Sequence, residues 1–134
     1  MVHRTVRRIL LVDDDPEFVA RAASILAGVA DFRAVADADA ALAQNALWRP
    51  DMVLLDTLFA SGDSFQLRDA LRDARPDERF AIIFLAKGRG AANQIEPYGD
   101  GIFGMLRREP DDEILRDEVV NAVHETDRLL LRSA

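Results

Sequence analysis

The sequence predicts an α/β protein built on a parallel sheet, and three observations carry that expectation. Short apolar runs alternate with stretches of helical period along the 134 residues. Two of the runs, Ile9-Leu10-Leu11-Val12 and Met52-Val53-Leu54-Leu55, are apolar without interruption, as strands covered on both faces are. Each ends in carboxylates, Asp13-Asp14-Asp15 after the first and Asp56 after the second.

Five strand-helix units follow in order. The first strand covers residues 8–12. Its helix opens at Asp14 or Asp15 with Pro16 in the first turn, turns Phe18, Ala22, Ile25 and Leu26 inward, and stops near Gly28. A second strand is expected at 32–36 and an Ala-rich helix at 38–48, broken by Pro50-Asp51 before the third strand at 52–55. The third helix presents Phe65, Leu67, Leu71 and Ala74 and ends at Arg75-Pro76. The fourth strand, 80–85, leads into Lys87-Gly88-Arg89-Gly90, whose glycines suggest a mobile loop, and then a short fourth helix ending around Pro97. The fifth strand, 102–106, passes through Arg107-Arg108-Glu109-Pro110 into a last helix from Asp111 or Asp112, with Ile114, Leu115, Val119, Ala122, Val123, Leu129 and Leu130 as its apolar side.

At this length and 49% hydrophobic content the chain reads as one domain, residues 1–134, burying roughly 68% of its unfolded surface. Acidic residues outnumber basic ones 24 to 17, for a net charge of −7, so long-range electrostatics oppose direct nucleic-acid binding. There is no cysteine and no run long enough to span a membrane, so a cytoplasmic location is expected. The basic side is nearly all Arg, with Lys87 the only lysine, and Ala is abundant; both fit a GC-rich bacterial genome. His3 and His124 lack any metal-ligand spacing and read as surface residues.

Chemistry concentrates at the strand ends. Neighbouring parallel strands lie about 4.8 Å apart, so Asp13, Asp14 and Asp56 can converge at the sheet's C-terminal edge, where open α/β folds bind ligands. Like charges about 5 Å apart repel by about 3 kcal/mol at an effective dielectric near 20. A bound hard cation or a raised pKa would relieve them. Asp15, before Pro16, has the position of a helix N-cap, and Asp51, Asp63 and Asp100 read as turn or cap residues.

Ile9-Leu10-Leu11-Val12-Asp13-Asp14-Asp15-Pro16, Pro50-Asp51-Met52-Val53-Leu54-Leu55-Asp56 and a cation after the fifth strand together resemble the receiver domain of bacterial two-component response regulators, over nearly the whole chain. The resemblance implies a doubly wound, flavodoxin-like sheet of order 2-1-3-4-5 with its site between strands one and three. It implies that Asp56 is the phosphoacceptor and that Asp13 and Asp14 are the metal-binding pair. Mg²⁺ would be held directly by Asp14, Asp56 and the carbonyl of Leu58, and by Asp13 through water. It further implies a sensor histidine kinase or phosphotransfer protein as partner, an output domain or partner protein, a homodimer as one assembly, and signalling rather than enzymatic turnover.

The sequence also departs from that family. Where receivers carry Ser or Thr after strand four, this chain has Ala86, which has no hydroxyl to bond a phosphoryl group, followed by Lys87. The aromatic switch position of strand five is Met105, and the usual Lys is replaced by Arg108, which keeps the charge with a different reach. The expected function is therefore a phosphorelay receiver with impaired or rewired switching; the alternative is a pseudo-receiver that binds partners whatever the state of Asp56, through its fourth helix, fifth strand and fifth helix. Asp13-x-Asp15 also resembles the start of haloacid-dehalogenase-type phosphatases, but no downstream acidic pair or cap accompanies it.

Overall fold

The computed structural model describes residues 6–57, 63–86, 94–98 and 101–131. Six strands form one sheet of order β2-β1-β3-β4-β6-β5. The strands β1 (Arg8–Val12), β2 (Asp31–Val35), β3 (Met52–Asp56), β4 (Ala81–Ala86) and β6 (Gly101–Arg107) are all parallel and correspond to the five expected, in the expected order. An added strand, β5 (Gln94–Tyr98), pairs antiparallel with β6 at the edge.

Successive strand residues face opposite sides, so each buried strand feeds two cores. Ile9, Leu11, Leu54, Ile83 and Leu106 pack under the helices α1 (Pro16–Leu26) and α4 (Asp112–Leu131), against Phe18, Ala22, Leu26, Leu115, Val119 and Val123. Leu10, Val12, Val53, Leu55, Ile82 and Phe84 pack under α2 (Ala38–Leu47) and α3 (Ser64–Asp73), against Ala41, Leu67 and Leu71. Coverage on both faces is why β1 and β3 carry uninterrupted apolar runs.

Helix starts are fixed by aspartates. Asp15, Asp37 and Asp63 cap α1, α2 and α3 through backbone N–H groups of Glu17, Ala40 and Phe65, and Asp111 accepts from Glu113 and Ile114 at the start of α4. Asp51 instead accepts from the N–H groups of Arg7 and Arg8, tying the start of β3 to that of β1. At this same end Arg75, almost fully buried, donates to Asn45 and to the Pro50 carbonyl and stacks on Phe80 at 3.9 Å.

The end of the expected fourth helix is corrected: residues 94–98 are a strand. Ile102, opposite Pro97, donates its N–H to the carbonyl of Phe80, the residue before β4, so the Pro97–Ile102 pair exchanges no ladder bond. The donor that Pro97 lacks therefore falls on the outer edge, where a strand tolerates proline. Lys87 and the expected glycine loop, as well as Leu58, Asp100 and His3, lie outside the described residues. Three inward assignments also differ: Phe65 is 54% and Ile114 48% exposed, and Ala74 is exposed as well.

Candidate functional site

The carboxylates arrive by three local devices. Asp13 extends the β1–β2 ladder by donating its N–H to Val35, and its Oδ1 accepts the N–H of Asp15 at 2.9 Å, turning the chain into α1. Asp56 is the last residue of β3, and its carbonyl accepts the Ser64 hydroxyl at 2.8 Å, tying the first residue of α3 to the end of the strand. Asp14 lies exposed above them. Ligand oxygens of Asp13, Asp14 and Asp56 lie within 4.8 Å of one another, while Asp13 and Asp56 are each only 1% exposed.

Arg108 closes the site from the opposite side. Its N–H bonds to Ala86, extending the β4–β6 ladder, and its side chain, 7% exposed, crosses the sheet edge to the acids. One guanidinium arm, Nη2, donates to Asp15 Oδ2 at 3.1 Å. The other, Nη1, lies 3.2 Å from Asp13 Oδ2 and 3.6 Å from Asp56 Oδ1. The guanidinium carbon sits 3.7 Å from the centre of the Phe18 ring. Arg21 steadies the following turn, donating to the carbonyls of Glu109 and Pro110 and to Asp112.

Burial pushes the Asp13 carboxyl above its ordinary pKa. The Asp15 N–H and the Arg108 charge pull it down, and the charges of Asp56 and Asp15 add to the rise. Asp13 Oδ2 is buried without a hydrogen bond, and so is the Arg108 Nη1 beside it: the two are close in charge but not aligned to bond. Hard, convergent oxygen donors with one buried oxygen still unbonded fit a small divalent cation such as Mg²⁺, which keeps several waters. A groove of about 470 Å³, walled by Pro16, Val19, Ala34 and Val35, opens beside Asp13 and Asp14.

Of the other expected positions, Ala86 ends β4 and pairs with Arg107, and Met105 pairs with Phe84, half-buried. The reading of Asp15 as a cap is right but incomplete, since its second oxygen anchors Arg108. Its place beside Asp13 and Asp14 was the available signal. Phe18 and Ser64 were not singled out for the site; both stand in the first turn of a helix that starts at this edge.

No protein-family model matches the sequence, and no curated protein matches it. Solved structures do match. The N-terminal domain of a response regulator/sensory box/GGDEF three-domain protein from Carboxydothermus hydrogenoformans superposes with a TM-score of 0.66 at 18% identity, covering 92% of this chain and 99% of that one. A CheY-like response regulator receiver domain from Methanospirillum hungatei JF-1 gives 0.64 at 17% identity over 92% and 98% of the two chains. This is the receiver fold. NtrX from Brucella abortus also matches, with a TM-score of 0.71 at 20% identity over 96% of this chain, which spans only 29% of NtrX. The receiver fold puts the carboxylates of β1 and β3 at the point where strand order reverses, the ligand crevice of doubly wound sheets.

Proposed function

We propose that this chain is a phosphorelay receiver in which Asp56 accepts a phosphoryl group, with Mg²⁺ held by Asp13, Asp14 and Asp56. The observation that carries the reading is the convergence of these three carboxylates with Arg108 at the switch point of the sheet. An Asp56 oxygen attacks phosphorus in line with the P–N bond of a phosphohistidine on a kinase or phosphotransfer protein. The P–O bond forms, the P–N bond breaks, and the imidazole leaves and takes a proton. Mg²⁺, when bound, supplies the positive charge that lets an anionic nucleophile meet an anionic phosphoryl group. Asp14, Asp56 and the carbonyl of Leu58 would hold it directly, and Asp13 through water. Arg108 adds a permanent positive charge near Asp56 that can fork onto phosphoryl oxygens.

In this reading the chain holds the group as a signal rather than turning substrate over, in the cytoplasm of a bacterium. Its net charge of −7 leaves any nucleic-acid contact to an output partner. A second reading, the pseudo-receiver, is favoured by one observation: neither Ala86 nor Met105 offers a hydroxyl or ring to register the phosphoryl group. Acetyl phosphate with Mg²⁺ separates the two. Intact-mass measurement is expected to give one phosphoryl adduct, lost in Asp56→Asn. An adduct that persists in the variant overturns the assignment of Asp56, and none on the unaltered protein selects the pseudo-receiver.

A further inference from the structure

We propose that Arg108 is a tethered counter-ion that competes with the divalent cation for Asp13 and Asp56, so that metal occupancy is set by where the guanidinium sits. The inference rests on reading the three carboxylates as a cation site. Nη1 approaches Asp13 Oδ2 and Asp56 Oδ1, two of the three donor residues, at 3.2 and 3.6 Å. A cation sharing those oxygens meets the positive charge of the guanidinium. The anchor of Arg108 lies outside the donor set. Nη2 bonds Asp15, the guanidinium lies over Phe18, and the backbone is paired to Ala86.

Nη1 can therefore leave the two carboxylates while the residue stays attached. It has room to do so: Arg108 lines an open cavity of about 300 Å³ with Asp15, Glu17, Phe18, Arg21 and Pro110. No formed hydrogen bond to Asp13 is broken by that departure, and an incoming cation takes over the charge that Nη1 gives up. An incoming anion at Asp56 draws the same guanidinium toward itself and off Asp13. Metal and phosphoryl group then favour each other's binding, a coupling that is reciprocal by linkage.

The test uses Mg²⁺ alone, titrated calorimetrically and by melting temperature into the unaltered protein, Arg108→Met and Arg108→Lys. Met keeps the apolar packing on Phe18 and removes the charge; Lys keeps the charge and loses the fork. Arg108→Met is expected to bind Mg²⁺ at least about tenfold more tightly than the unaltered protein, with Arg108→Lys closer to the latter. The gain is expected to vanish when Asp14→Ala is added. If Arg108→Met needs metal to fold, folding restored at Mg²⁺ concentrations too low to load the unaltered protein supports the proposal equally. Equal or weaker binding by Arg108→Met, or an Arg108→Lys as tight as Arg108→Met, overturns the competition and leaves the metal site standing. Absence of binding by all three overturns the metal site, and the proposal with it.

Discussion

Burial holds the Asp13 carboxyl above its ordinary pKa of 3.8, against the pull of the Asp15 N–H and of Arg108. The folded protein then keeps a proton on Asp13 over a pH range in which the unfolded chain has lost it. This contribution to stability is complete below about pH 3.8 and is lost as pH rises through the higher folded value. Asp13→Asn cannot lose it. In chelator, the stability of Asp13→Asn relative to the unaltered protein is therefore expected to grow from pH 4 upward and then level off, read by urea denaturation at each pH. A variant less stable than its parent at pH 7 would show that the Arg108 pairing outweighs burial. The like-charge conflict at the ends of β1 and β3 was legible in the sequence, and so was its relief by a cation or a raised pKa. The supply of that cation from within, through an arm of Arg108 anchored on a capping aspartate, depends on side-chain reach across the sheet edge.

At the level of elements, strands and caps were readable because each depends on a few neighbouring residues. Asp63 shows the type: both its N–H partners, Phe65 and Gln66, lie within three positions. Asp63→Ala is expected to lower stability by about 1 kcal/mol at unchanged denaturant slope, and an effect within error would mean that the first turn of α3 is held by Ser64 on Asp56 alone. Helical period was less informative at the rims. Phe65 and Ile114 fall on apolar stripes but stand in first turns, past the depth at which the sheet can cover them. Phe65 still packs on Phe84, ring centres 5.0 Å apart, while its outer side faces water. The segment 94–98 failed for a different reason. Five residues with one proline carry no decisive period, but only two residues, Gly99-Asp100, separate the segment from its pairing partner β6. A two-residue Gly-Asp separation between two short runs is a hairpin signal, and it is the one that could have found this ladder.

For the molecule as a whole, the parallel topology was legible from strand alternation together with the two acidic strand ends, whereas the switching that a proposed receiver would perform depends on what flanks β4 and β6. Two observations point to a weak response there. Ala86, at the end of β4, has no hydroxyl to bond a phosphoryl group, and β6 is held on its outer side by the β5 ladder in the region where a helix was expected. A bound group shifts a conformational equilibrium only by its differential interaction with the two states. A hydrogen bond to a charged phosphoryl oxygen is worth about 1.5–3 kcal/mol, a bias of roughly 10- to 150-fold. Ala86 forfeits that bias. With Mg²⁺ and beryllofluoride as phosphoryl mimic, the unaltered protein is expected to show amide shifts at Asp13, Asp14 and Asp56 but little change at Leu85, Ala86 and Met105. Ala86→Thr is expected to extend the shifts to the end of β4 and into β6. If the unaltered protein already shows full shifts at Leu85 and Met105, and Ala86→Thr adds nothing, the response travels by contacts other than a hydroxyl at this position. The route through Arg108, Asp15 and α1 would then be the one that carries it.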